Sequence, residues 1–227
     1  MKQVFSGKTK TVFELPDGNY MLKFKDDACG KDGVFDPGEN QVGLTIDGKG
    51  KAGLRLSEFF FKKINEAGFP THFIGCDIDA ATMTVRPATV FGKGLEVVCR
   101  FKATGSFVRR FGDYISDGAV LEPPLVEITL KDDNRGDPPV TRDIAVALGI
   151  LTTDEFDKLS DLVRSIAGII KNECAAKSLE LIDMKLEFGR NKEGIMLIDE
   201  VSGDIMRVYD KQGNAVEPIE LTRIICG

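Results

Sequence analysis

Apolar and charged positions alternate along residues 181–188, where Asp183, Lys185 and Glu187 interleave with Met184, Leu186 and Phe188. An extended strand sends alternate side chains to opposite faces, so the charges share one face and the apolar residues the other. A short turn at residues 191–194 leads into a second apolar strand, residues 194–198, which delivers Asp199 and Glu200. A hairpin of the two strands sets Asp199 beside Glu187. Carboxylates meeting there repel, and a hard cation relieves the repulsion; Mg²⁺ is held by one or two carboxylates plus substrate phosphates.

Upstream, residues 4–6, 10–14 and 20–24 read as strands separated by turn residues such as Pro16-Asp17-Gly18-Asn19, an antiparallel meander. Residues 26–53 are glycine-rich, charged and aperiodic, which predicts a long functional loop. A helix over residues 54–67 follows, with Leu56, Phe59, Phe60, Lys63 and Ile64 at near-helical spacing before Gly68 and Pro70. Strands are expected at 71–74, 82–86 and 95–101, and a short helix or turn at 106–111. The clearest helix covers 153–176, with Thr153 as N-cap and Phe156, Leu159, Leu162, Val163, Ile166, Ile169 and Ile170 as its apolar stripe. Pro87, Gly92 and Gly94 mark a linker. The expected fold is α+β in two lobes, a small antiparallel β-rich lobe over residues 1–90 and a larger α+β lobe over 91–227.

The chain has 227 residues, enough to bury a substantial core. It contains no run of about 18 apolar residues, and its amino end lacks the apolar block of a signal peptide, so a soluble, cytoplasmic protein is expected. Five scattered cysteines without a C-x-x-C pair argue against a disulfide framework and a zinc site. A formal charge of −6 disfavours nucleic-acid binding. The single histidine, His72, stands where a helix gives way to a strand; a Ser-His-Asp or Cys-His hydrolase would have to use it as base, no G-x-S-x-G elbow accompanies it, and His72 reads as structural.

Several segments carry candidate chemistry. Lys8 and Lys10 of Gly7-Lys8-Thr9-Lys10 face one side of a turn, where a glycine lets backbone N–H groups approach phosphate, though read alone the segment fits a solvated hairpin better. The Asp26 to Gly33 stretch lacks the spaced ligands of an EF-hand and reads as a substrate loop or a surface turn. Arg100 ends a strongly apolar strand just before Gly105-Ser106, a place to hold a carboxylate or phosphate, or equally for Arg100 to pair internally. Arg109-Arg110 reads as an exposed basic pair, and residues 131–139 as a substrate loop or a solvated turn.

In order, Gly7-Lys8-Thr9-Lys10, Lys25-Asp26-Asp27, Asp32-Gly33, Glu96-Val97-Val98-Cys99-Arg100, Gly105-Ser106, Pro123-Pro124, Lys131-Asp132-Asp133, Asp137-Pro138, Ile182 through Gly189 and Asp199-Glu200 resemble the SAICAR synthetase family over nearly the whole chain. The resemblance implies an ATP-dependent ligase of purine biosynthesis that joins L-aspartate to carboxyaminoimidazole ribonucleotide, with the nucleotide between a small β-rich lobe and a larger α+β lobe. It implies Lys8 and Lys10 on the ATP phosphates, and Glu187 and Asp199 on Mg²⁺. Asp32, Arg100, Ser106, Asp183, Lys185, Arg207 and Arg223 would surround the ribonucleotide, with Lys131 and Asp132 bordering the aspartate site; Lys185, Arg100 and Asp183 would serve the chemistry. The implied partners are these small molecules, with no nucleic acid or membrane, and homo-oligomer formation stays open. Three departures stand out: Met184 for the usual phenylalanine, Ser202-Gly203-Asp204 for Ser-Pro-Asp, and an end at Gly227 in place of a basic segment and C-terminal helix. Gly203 predicts a looser Arg207, and the ending an unsupported Arg223. A related ligase with another acid or amine, or a nucleotide-binding module without catalysis, are the competing readings.

Overall fold

A computed structural model describes residues 1–39 and 41–227. Its first sheet takes strands β1 (Lys2–Ser6), β2 (Lys10–Glu14) and β3 (Tyr20–Phe24) as the expected meander. The chain then forms β4 (Asp27–Lys31), β5 (Val34–Phe35) and β6 (Val42–Thr45), followed by helix α1 (Lys49–Glu66), β7 (Phe73–Asp77) and β8 (Thr82–Val85). β7 and β8 complete a five-stranded antiparallel sheet in the order β1-β2-β3-β8-β7. The second part comprises β9 (Thr89–Val90), β10 (Leu95–Lys102), α2 (Gly105–Phe111), β11 (Val120–Leu130), α3 (Arg142–Ala147), α4 (Thr153–Ala176), β12 (Glu180–Asn191), β13 (Gly194–Ile198), β14 (Met206–Tyr209) and α5 (Pro218–Cys226). Its main sheet runs β11-β10-β12-β13, with β9 and β14 also pairing with β12. The fold is α+β, as the pattern predicts.

The expected long loop at 26–53 is corrected by the structure. It holds a three-stranded sheet in the order β5-β4-β6, and α1 starts at Lys49 rather than Leu54. Its glycines, which hid the strands from a periodicity reading, are there for close backbone contact: a Cβ on Gly43 would stand 2.3 Å from the Gly30 carbonyl carbon. The start of α1 is satisfied from another segment, since Asp26 accepts from the N–H groups of Gly48 and Gly50 at 3.2 and 2.8 Å.

The N-cap of α4 is Thr152, not Thr153. Thr152 Oγ1 accepts from Glu155 N at 3.2 Å and Glu155 Oε2 accepts from Thr152 N at 2.9 Å, a reciprocal capping box. The apolar stripe of α4 buries Leu159, Leu162, Val163, Ile166 and Ile170 against β10, β11 and β12. Each such side chain contributes roughly 1.5–3 kcal/mol on burial. The opposite face of that sheet is left for charged residues.

Backbone hydrogen bonds join the two sheets. His72 N donates to Leu197 O at 3.0 Å, and Leu197 N donates to Pro70 O at 3.0 Å. The His72 ring is buried, and Nε2 lies 3.1 Å from the Asp199 carbonyl oxygen. Burial lowers its pKa to about 4, so the ring is neutral at neutral pH and acts as a structural post, as expected. No helix among the described residues is long and apolar enough to cross a membrane.

The predicted loosening at Gly203 is also corrected. Gly203 is buried, and a Cβ there would lie 2.7 Å from Pro218 Cα, at the start of α5. The missing side chain thus seats α5, which packs on α1 and on the turn at Gly203–Ile205. Gly203→Ala is therefore expected to destabilise the fold by about 1–3 kcal/mol through overpacking. Chemical denaturation checks it; an unchanged or higher midpoint would show that α5 adjusts freely.

Candidate active site

Three strands place a grid of polar side chains on the face opposite α4. Glu96 of β10 stands between Thr129 of β11 and Glu187 of β12, Val98 between Glu127 and Lys185, and Arg100 between Leu125 and Asp183. β14 adds Arg207 opposite Asp183. Strand alternation alone thus produces a floor of ionic pairs above an apolar layer. Lys185 Nζ meets Glu96 at 2.7 Å, and Lys131 Nζ meets Glu187 at 2.5 Å.

Arg100 is buried and uses its whole guanidinium. It donates to Asp183 Oδ2 at 2.6 Å, Glu127 Oε2 at 2.7 Å and Ser106 Oγ at 3.0 Å. Arg207 is held by Asp183 at 2.9 Å and by Asp36 at 3.1 Å, so it is firmly placed despite Gly203. Burial raises the Asp183 carboxyl above its ordinary pKa, while Arg207 and Arg100 pull it down. Around these residues lies a chamber of about 280 Å³ that also includes Arg109, Arg110 and Thr129 in its lining.

A second chamber, of about 410 Å³, adjoins it under the β1–β2 turn and is lined by Lys8, Lys10, Glu187 and Asp199. Lys8 reaches across to Asp133 at 2.6 Å. Lys10 is buried between Asp199, at 3.1 Å, and Glu200. Burial works against its charge, yet Asp199 and Glu200 hold its pKa above the ordinary lysine value. Glu187 is pushed up by burial and then by Asp199; burial also acts on Asp199, but Lys10 and Lys131 hold it below the ordinary value. Asp199 has φ 67, a left-handed conformation that is strained for a residue with a side chain. Pro37, Glu39, Glu96, Lys185 and Ile205 line both chambers and form their junction.

The hairpin therefore brings Glu187 and Asp199 together with Lys8, Lys10, Lys131 and Asp132 in one chamber. Arg100, Ser106, Asp183 and Arg207 gather in the other, with Lys185 in both. Asp32 and Arg223 stand apart. Asp32 is exposed on the β4–β5 turn, and the carboxylate of this segment that reaches Arg207 is Asp36. Arg223 lies on the outer surface of α5, 2.5 Å from Glu220 and beside Lys51 and Arg55. The sequence assigns no site role to Glu127 or Lys49 and leaves Glu96, Glu200 and Asp204 as motif residues without one, and Arg109-Arg110, expected as an exposed pair, line the first chamber. Glu96 was within reach, because Glu96, Val98 and Arg100 alternate onto one face.

A cleft with lysines and paired carboxylates in one chamber and guanidinium groups in the other is built to hold anionic small molecules such as phosphates. Comparison with known proteins narrows this. The SAICAR synthetase family profile matches residues 3–220. A phosphoribosylaminoimidazole-succinocarboxamide synthase of Clostridium tetani is 54% identical over 227 residues, 99% of each chain. One from Finegoldia magna is 35% identical over 94% of this chain and 88% of its own. Among solved structures, a SAICAR synthetase (Type-2) in complex with ADP superposes with a TM-score of 0.83 at 33% identity, covering 99% of this chain and 91% of the other. The chain belongs to the SAICAR synthetase family of ATP-dependent ligases of purine biosynthesis.

Proposed function

We propose that the chain joins L-aspartate to carboxyaminoimidazole ribonucleotide, converting ATP to ADP and phosphate, and that residues 1–90 mainly grip the nucleotide while residues 91–227 hold the acid and the metal. The observation that carries this reading is the junction at Lys185, where a phosphate-gripping chamber opens onto an arginine-rich one. Lys8 and Lys10 neutralise the triphosphate. Arg100, Ser106 and Arg207 hold the ribonucleotide, with Asp183 fixing both guanidinium groups from below.

At the junction, a carboxylate oxygen of the ribonucleotide attacks the γ-phosphorus, a P–O bond forms, and ADP departs with the electron pair of the broken one. The aspartate amine then attacks the acyl carbon and phosphate leaves. The catalytic contribution is orientation and charge stabilisation, with Lys185 facing negative charge on the activated carboxyl group.

Mg²⁺ fits the donors available. Glu187 and Asp199 are hard oxygen ligands whose mutual repulsion helps raise the Glu187 pKa. Among the described residues no three or more His, Cys, Asp or Glu side chains converge as a metal group. Phosphates and water would complete the coordination, the arrangement Mg²⁺ favours. Bound there, the ion would offset phosphate charge. The enzyme works as a cytoplasmic small-molecule ligase without nucleic acid, in keeping with its acidic balance of −6.

Purified protein given ATP, Mg²⁺, L-aspartate and the carboxylated ribonucleotide should release ADP, and omission of either the acid or the amine should lower that release. ADP formation at background with all four present overturns the assignment.

A further inference from the structure

Most carboxylates in the cleft are already committed to cations. Glu96, Asp183, Glu187 and Asp199 each lie within 3.1 Å of a lysine or arginine nitrogen, and Glu200 is bound by Lys10 and Ser202. Asp204 differs. It is 8% exposed and lines the phosphate-side chamber, and Lys49 holds its Oδ2. Its Oδ1 is buried without any hydrogen-bond partner. A buried carboxylate oxygen without a partner is costly, so it calls for a ligand or a proton.

The position of Asp204 matters as much as its chemistry. It sits in the 3₁₀ turn Gly203–Ile205, and Ile205 is one of the residues that line both chambers. The turn is pinned: Ser202 Oγ accepts from Asp204 N at 3.2 Å, and α5 packs against it. Lys49 is fixed in turn by donating to the Asp27 carbonyl at 2.6 Å. A rigidly held carboxylate therefore lines the phosphate-side chamber, one residue before Ile205 at the junction of the two chambers.

We infer that Asp204 receives the amine of the amino-acid substrate and takes the proton that the amine must lose before it attacks; the inference rests on the acyl-phosphate reading above. An α-ammonium group is not a nucleophile. It passes one proton to the Asp204 carboxylate, and the neutral nitrogen forms the C–N bond. The C–O bond to the phosphoryl group then breaks, and phosphate leaves with the electron pair and the second nitrogen proton. Burial and the Glu200 charge raise the Asp204 pKa to about 6, against the pull of Lys49 and the more distant Lys10. Cys29, whose thiol is raised by burial and by Asp204, is the other titratable group facing it. A base with a pKa close to the working pH transfers protons efficiently.

The test compares two nucleophiles. Hydroxylamine attacks acyl phosphates as an already neutral amine and needs no base. In Asp204→Asn, amide formation with L-aspartate is expected to fall about 10²–10⁴-fold, while hydroxamate formation with ATP, Mg²⁺ and the ribonucleotide persists. Asp204→Glu, which keeps a carboxylate, should recover part of the aspartate rate. In the native chain the aspartate rate should decline as pH drops through about 6. An unchanged aspartate rate in Asp204→Asn, equal losses with both nucleophiles, or a native rate flat across that pH range overturns the assignment. Hydroxamate absent from the native chain overturns the acyl-phosphate reading itself, and this inference with it.

Discussion

Asp199→Asn and Glu187→Gln should each abolish most of the metal dependence of ATP binding and lower turnover by about 10²–10³-fold, since a metal contributes several kcal/mol of charge stabilisation in phosphoryl transfer. Glu187 and Asp199 are the two carboxylates that the β12–β13 hairpin brings together, and burial with mutual repulsion already pushes Glu187 above its ordinary pKa. Neither substitution strands Lys10, because Glu200 still faces it. Calorimetric titration with ATP, with and without Mg²⁺, separates the effect on the ion from general damage. Undiminished Mg²⁺-dependent affinity in both variants would remove the proposed metal site.

A second large effect is expected at Asp183, on stability as well as on substrate affinity. Its carboxylate lies 2.6 Å from Arg100 and 2.9 Å from Arg207, and it is buried to 3% exposure. Asp183→Asn keeps the shape but leaves two guanidinium groups facing a neutral amide. Breaking a buried pair by removing one partner costs about 3–5 kcal/mol, which for a chain of this size is roughly a 10 °C fall in melting temperature. Glu127 and Asp36 continue to pair with Arg100 and Arg207, which places the loss toward the lower end. Added ribonucleotide, whose phosphate supplies negative charge, should recover part of the difference. A melting temperature equal to that of the native chain would mean that the two arginines need no counter-charge from below.

Alternation at Asp183, Lys185 and Glu187 made the cleft floor legible in the sequence, because a period of two has one geometric meaning in a sheet. The hairpin to Asp199 followed from turn residues and chain distance. Partners drawn from remote segments were not legible: Lys49 meets Asp204 and Lys8 meets Asp133 across long stretches of chain, and spacing carries no record of such pairs. The sheet within residues 27–45 escaped for another reason. Its strands are short, and they use glycine where backbones touch, so the residues that build it imitate those of a loop. Arg223 shows the limit of resemblance alone, since matching the family's spacing does not bring it into the cleft; α5 carries it to the outer surface.

The junction formed by Pro37, Glu39, Glu96, Lys185 and Ile205 has a practical consequence for inhibitor chemistry. Because the two chambers share these walls, one molecule can bridge them with a short connector that never leaves the protein. Such a compound loses translational and rotational freedom only once while filling both subsites, so moderately bound halves can combine into a tight-binding whole.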